Sequence, residues 1–324
     1  MAVVKRLRLG TRGSQLALWQ AHRTADALAA ATTTPCEIVR IRTSGDRRGR
    51  EPLASTSGKA DFVKEIEDAL LAGTIDVGVH SAKDLAASPP AGLSLGAVLE
   101  RRDPRDALVL RDAPTGSLED VLTRLGGTPR IGTGSPRRRA QVLRLVPDAR
   151  VEPVRGNVDT RLAQLDQGRY DALILAVAGL ERLGRDDRVT ARLPLDRCIP
   201  APGQGTIALQ VRKGSDAVTL VEAVDHPADR LTLEAEWSIV RHLGAGCRTP
   251  LGAIAWIDAD SGGVPTMVVV AAAYSEDGRT IVDARAEGVP ADAARLGRQV
   301  ADALLAGGAG PLIEPSPTNR AGQV

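Results

Sequence analysis

The chain has 324 residues, with 42 Lys+Arg against 40 Asp+Glu, 43% hydrophobic residues and only 2% aromatic ones. That length builds two or three domains with their own cores, and a net charge of +2 with few rings excludes a general polyanion binder and a base-stacking reader of single strands. No stretch is apolar enough for a signal peptide or a membrane span. Three cysteines without a C-x-x-C pair and four scattered histidines suggest neither disulfides nor a metal site, so a cytoplasmic chain with no metal, nucleic-acid or membrane partner is expected.

In chain order, "VKRLRLGTRGSQLALWQAHRTADALAAA" predicts an alternating strand, a polar turn and a long amphipathic helix. "EIVRIRTSGD" is a second strand, and "DFVKEIEDALLAG" a helix closed by Gly73. It leads into "TIDVGVHSAKDL", a buried strand whose end carries His80, Ser81, Lys83 and Asp84. In "IGTGSPRRRAQ" Ser135 suits a helix N-cap and Pro136 the first helical position, which puts Arg137, Arg138 and Arg139 at the positive end of the helix dipole. Between Arg130 and Arg161 eight arginines face three acids. Either that surface is simply solvated, or an anion completes it.

"RLAQLDQGRYDALILAVAGLERLG" repeats the helix, G-x-x-D step and buried strand seen at Gly73 to Asp76, here at Gly168 to Asp171, a weak internal repeat. Alternating strands and helices imply parallel sheets with ligands beyond the strands' carboxyl ends, where all the polar turns fall. "DPRDALVL" and the Pro- and Gly-rich "LPLDRCIPAPGQGTIALQV" are places for the chain to cross between lobes. The remainder reads as a helix, a "GAGCRTP" loop, strands with an Asp-Gly hairpin turn at 277 and 278, and a final helix. The expected fold is α/β: two similar doubly wound domains around a cationic cleft (1–104 with 200–225, and 105–199), then a small α+β domain with a three-stranded antiparallel sheet (226–324). Its tail is expected to be disordered from about 314.

The motifs "TRGSQLALWQA", "GKADFVKE", "VHSAKD", "DPRDAL", "GTGSPRRRAQ", "RGNVDTRL", "DALILAVAGLERLG", "PAPGQG" and "GAGCRTPLGA" resemble, in order and spacing from about residue 5 to 305, the porphobilinogen deaminase (hydroxymethylbilane synthase) family. The resemblance implies a type II periplasmic-binding-protein-like architecture and a monomeric transferase of haem biosynthesis. It would deaminate porphobilinogen and join four pyrroles head to tail on a dipyrromethane primer, releasing hydroxymethylbilane and ammonia.

It implies that the primer is a thioether on Cys247, where Gly244 and Gly246 let the loop approach a flat group and Arg248 favours the thiolate; Cys36 and Cys198 look structural. Lys83, Arg137 and Arg138 would hold primer carboxylates, and Asp84, Ser81, Thr133, Ser135, Arg161, Gln204 and Gly205 complete the primer contacts. Arg12, Ser14, Lys59, Phe62, Arg155, Gly156, Asn157 and Arg161 would meet substrate, and Arg182 would assist elongation. Asp84, with Lys83 and Arg12, would carry the chemistry by stabilising the cation left when ammonia departs. Phe62 could equally be core, and Arg139, given no carboxylate, could face solvent.

This sequence departs from the family pattern at Ser55 (often Lys), Asp61 (usually apolar), Gly134 (Ser) and Pro136 (Leu). The first two leave the role of the 53–61 loop, a lid by composition, open. A non-catalytic two-lobed binder of small anions is the alternative; a phosphate transferase lacks its G-x-x-x-x-G-K-[ST] loop.

Overall fold

The computed structural model describes residues 6–43, 63–111, 115–246, 249–258 and 263–313. Its chain forms two compact units, residues 1–102 with 206–230, and 103–205 with 231–324. The tail from 314 lies outside the described residues.

The first unit opens with β1 (Leu7–Arg12) and α1 (Gln15–Thr32), followed by β2 (Cys36–Ile41), α2 (Lys64–Leu71), β3 (Val77–Ser81), a single 3₁₀ turn (Ala82–Asp84) and β4 (Leu93–Val98). Ser14 caps α1, its Oγ accepting from the Ala17 N–H at 3.3 Å. The second unit takes over with β5 (Asp106–Leu110), α3 (Leu118–Leu125), β6 (Arg130–Gly132), α4 (Pro136–Leu145), β7 (Arg150–Glu152), α5 (Val158–Asp166), β8 (Ala172–Ala176), α6 (Val177–Arg182) and β9 (Ala191–Arg192). The chain then returns to the first unit as β10 (Ile207–Arg212) and α7 (Ala217–Glu222). It ends in the second with most of α8 (Pro227–His242), then β11 (Leu251–Asp258), β12 (Thr266–Tyr274), β13 (Ile281–Gly288) and α9 (Ala293–Ala306).

Two five-stranded sheets have matching orders, β2-β1-β3-β10-β4 and β7-β6-β8-β5-β9. The alternating pattern predicts parallel sheets, but neither is wholly parallel: β10 runs antiparallel to β3 and β4, and β5 antiparallel to β8 and β9. Parallel pairing needs a crossover helix, whereas β5 and β10 enter directly from the two crossing segments. Both sheets are buried: Leu9, Val77 and Val79 share an apolar face of the first, and Leu173 and Ile174 point to opposite faces of the second.

The G-x-x-D repeat is a shared clamp. Arg8 gives its backbone N–H to Asp76 Oδ2 (2.9 Å), its Nη2 to Asp76 Oδ1 (2.9 Å) and the same Nη2 to the Gly73 carbonyl (2.7 Å). Arg130 repeats each bond, to Asp171 Oδ2 (2.7 Å), Asp171 Oδ1 (3.2 Å) and the Gly168 carbonyl (2.9 Å). Gly73 and Gly168 both have positive φ, 69° and 73°, which lets each helix end turn back into its strand.

The second unit also contains the three-stranded antiparallel sheet β11-β12-β13. Leu296, Val300 and Leu304 of α9, spaced four apart, bury one helix face in its core with Met267 and Val269. Its hairpin turns at Gly278 (φ 72°), with Asp277 accepting from the Arg279 N–H at 3.0 Å.

Candidate functional site

In the first unit, the carboxyl ends of β1 and β3 and the start of α1 surround a pocket lined by Arg12, Ser14, Gln20, His80, Ser81 and Asp84, with Val63 and Ile66 on its α2 side. The geometry follows from the chain. β1 delivers Arg12, the capping turn delivers Ser14, and the 3₁₀ turn after β3 swings Asp84 to the strand's end beside Lys83, which is half-buried. Ser81 accepts at Oγ from Gln20 Nε2 at 2.8 Å, so its hydroxyl is oriented from α1. His80 is 5% exposed, and burial drives its imidazole down to about 4, partly opposed by the charge of Asp84 and by Gln210. The ring is neutral at pH 7.

The second unit places the arginine triplet unexpectedly. Arg137 and Arg138 are 3% and 7% exposed and turn inward onto Asp106, which is fully buried. Arg137 Nη2 reaches Asp106 Oδ2 at 2.7 Å and Arg138 Nη2 reaches Oδ1 at 2.7 Å. Their other donors go to the carbonyls of Ile199 (2.6 Å, from Arg137) and Ile174 (3.0 Å, from Arg138). Gln204 Nε2 adds a bond to Asp106 Oδ1 at 2.8 Å. Burial alone would raise the Asp106 carboxyl, but the two guanidiniums outweigh it and hold it far below the carboxylate range. A first-turn position that is unfavourable for a cation by the helix dipole is thus served by a carboxylate from β5. The trio still has two positive groups for one negative, and among the described residues Arg137 Nε is buried with no hydrogen-bond partner.

Other expected residues are spread around this cluster. Thr133 is buried, its Oγ1 accepting from the Ser135 N–H at 3.2 Å, and Ser135 caps α4 through the Arg138 N–H. Arg182 is 6% exposed and donates to the Gly205 carbonyl at 2.6 Å. Arg161 Nε donates to the Gly156 carbonyl at 2.8 Å, at the turn where Arg155, Gly156 and Asn157 are exposed. Arg139 is exposed and ties α4 to β7 through the Val151 carbonyl at 2.9 Å. Ser55, Lys59, Asp61 and Phe62 of the proposed lid, and Cys247 with Arg248, lie outside the described residues.

Of the other two cysteines, Cys36 is half-buried in β2. Cys198 is 1% exposed, and burial with the nearby Asp106 charge pushes its thiol up to about 12 despite Arg137 and Arg138. A thiol so held is no nucleophile at neutral pH. A broad groove lined by Asp103, Pro104, Arg105, Pro194, Leu195 and Asp196 contains none of the expected site residues.

Two residues escaped the sequence reading. Asp106 opens the apolar run "DALVL", and an acid at the head of a buried strand was the available signal. Gln141 receives the Tyr274 hydroxyl (2.9 Å) and bonds both ways with Ile199, fastening α4 to β12; nothing local in the sequence marks it.

Residues 7–220 match the family model described as porphobilinogen deaminase, dipyromethane cofactor binding domain, and residues 230–306 the model of the porphobilinogen deaminase C-terminal domain. A porphobilinogen deaminase of Trichlorobacter lovleyi is 41% identical over 96% of this chain and 96% of its own length. One of Acidithiobacillus ferrooxidans is 44% identical over 95% of this chain and 97% of its own. Among solved structures, substrate binding domain 2 of GlnP from Lactococcus lactis is 11% identical, covering 75% of this chain and 92% of its own with a TM-score of 0.41. With one model spanning most of the length, a second following it in order, and relatives above 40% identity end to end, the chain belongs to the porphobilinogen deaminase family.

Proposed function

We propose that the chain deaminates porphobilinogen and joins four of the pyrroles head to tail, releasing hydroxymethylbilane and ammonia. The observation that carries this reading is a family match over both parts of the chain together with a pocket that sets Asp84 beside Arg12 and Ser14. Each porphobilinogen brings two carboxylates and a leaving ammonium, and the pocket offers a guanidinium for the first and a carboxylate for the charge developed by the second. Asp84 accepts substrate N–H bonds, stabilises the cation as ammonia leaves and takes up the α-proton. Arg12 and Ser14 orient the substrate's acid side chains, with Arg155, Gly156, Asn157 and Arg161 as further contacts and Arg182 serving elongation. Lys59 and Phe62 belong to the same proposal.

A dipyrromethane primer suits these residues on one point in particular. The Asp106 cluster carries an unbalanced positive charge and a buried guanidinium N–H without a partner among the described residues, which a carboxylate would satisfy. Arg137 would hold it, with Lys83, Asp84, Ser81, Thr133, Ser135, Arg161, Gln204 and Gly205 as further contacts and Cys247 as the point of attachment. Arg138, whose guanidinium is committed to Asp106, Ile174 and Gln204, would serve chiefly by holding that arrangement. When bound, the primer supplies the pyrrole carbon to which the first substrate is joined. Asp106 holds two neighbouring arginines by direct hydrogen bonds, so their charges are positioned by the protein's own carboxylate.

No described helix is long and apolar enough to cross a membrane. A cytoplasmic monomer is the state we propose. The intact mass of the purified protein tests the central claim: it exceeds the sequence mass by a two-pyrrole adduct that disappears in Cys247→Ala. A bare polypeptide mass from protein that still converts porphobilinogen would overturn it.

A further inference from the structure

The α2 face of the first sheet holds polar groups that no part of the proposed reaction uses. His80 and Gly78 lie on β3, directly across from Ala208 and Gln210 of β10, so all four side-chain positions share one face. The His80 ring folds back over Gly78: a Cβ there would stand 2.7 Å from Nε2, and only glycine leaves the room. The ring nitrogen is thereby brought to the strand position opposite Gln210. His80 Nε2 and Gln210 Oε1 are both buried, and neither completes a hydrogen bond within ordinary limits among the described residues, although Gln210 is close enough to act on the ring as a hydrogen-bonding group. Gln210 itself is 2% exposed, and its Nε2 donates to Glu67 Oε1 of α2 at 2.9 Å.

These contacts fix a proton. A carboxylate only accepts, so Glu67 compels the Gln210 amide to point its NH₂ outward and its oxygen toward His80. An amide oxygen also only accepts. The imidazole must therefore carry its proton on Nε2 if the two buried atoms are to satisfy one another. We propose that Glu67, acting through Gln210, latches His80 as the neutral Nε2–H tautomer and so makes it a positioning residue for Asp84. His80 and Asp84 line the same pocket, and the Asp84 charge acts on the ring; a neutral ring whose one proton is committed to Gln210 has none to give Asp84, and the carboxylate's electron pairs stay directed to the substrate's N–H groups. This role rests on the reading of Asp84 given above; the latch itself does not.

The test is ¹⁵N NMR of the full-length protein labelled at its four histidines, with the His80 signal assigned by its loss in His80→Gln. The wild type shows a neutral ring protonated at Nε2 throughout pH 5.5 to 7.5. Glu67→Ala, a change on a half-exposed helix position, mixes the tautomers, whereas Glu67→Gln, which still offers an oxygen to the Gln210 amide, restores the single form. In turnover, Glu67→Ala lowers kcat about fivefold, the scale of one misdirected neutral hydrogen bond, with KM within twofold, and Glu67→Gln recovers most of it. A ring protonated at Nδ1 or charged in the wild type overturns the latch. An unchanged kcat in Glu67→Ala with mixed tautomers overturns the positioning role. If Asp84→Asn leaves turnover normal, the reading of Asp84 fails while the NMR result stands.

Discussion

The two five-stranded sheets are built alike and finished differently. Their strand orders coincide, their Arg-Asp clamps repeat bond for bond, and Gln20 and Gln141 each sit six residues after a capping serine. At matching registers, however, Ile207 stands opposite Ser81 in one sheet, and Asp106 opposite Ala176 in the other. The residue whose N–H meets the capping serine is Ala17 in the first unit and Arg138 in the second. One frame thus leaves an open pocket with a single carboxylate turn, while the other closes the same place with a buried ion cluster. The fold sets where chemistry can sit, and two or three side chains decide what kind.

That contrast is broken most severely at Asp106. Asp106→Leu strands two buried guanidiniums and costs about 3–5 kcal/mol, read from the denaturant midpoint. Ile207→Leu at the matching register costs less than about 1.5 kcal/mol. Equal losses would mean that Asp106 is not what holds the two guanidiniums in the second sheet. Next in size is Asp84→Asn, which keeps the fold and lowers turnover by at least about 10²-fold, the scale for removing a central electrostatic group; near-normal rates would remove Asp84 from the chemistry.

The clamps should differ in strength although they match in pattern. Asp76 is 13% exposed and Asp171 45%, so Asp76→Asn costs about 1–3 kcal/mol and Asp171→Asn less than about 1 kcal/mol. The reverse order in unfolding experiments would refute burial as the cause.

The smallest effect is a difference in acid sensitivity, read as amide protection factors in β3 and β10 against β8 and β5. His80 has its folded value lowered from 6.5 to about 4, so between those values the unfolded chain binds more protons and protection in β3 falls as pH falls. Asp106 is depressed below its ordinary 3.8, so its contribution is complete above that value and is lost only in stronger acid. Parallel loss in both sheets between pH 6.5 and 4, or no change of slope in His80→Gln, would exclude His80 as the source.

Much of this was legible beforehand because it is written in local chemistry. The capping serines at 14 and 135 and the Asp-Gly hairpin are short-range devices whose partners lie a few residues away, and the G-x-x-D steps were legible as a repeat although their arginine partners lie 68 and 41 residues away. The antiparallel insertion of β5 and β10 was not legible, because direction depends on where the chain re-enters, not on the residues that pair.

By itself, the sequence determined the elements, the repeat, the family and the residues that carry charge. Only tertiary structure decided where those charges point. Arg137 and Arg138 read as cations for a primer's carboxylates, yet a carboxylate 31 and 32 residues earlier turns them inward, since a buried carboxylate must find its cations wherever the sheet brings them. The tautomer of His80 was likewise beyond local reading. It depends on Gln210 and Glu67, 143 residues apart in the chain, meeting on one sheet face.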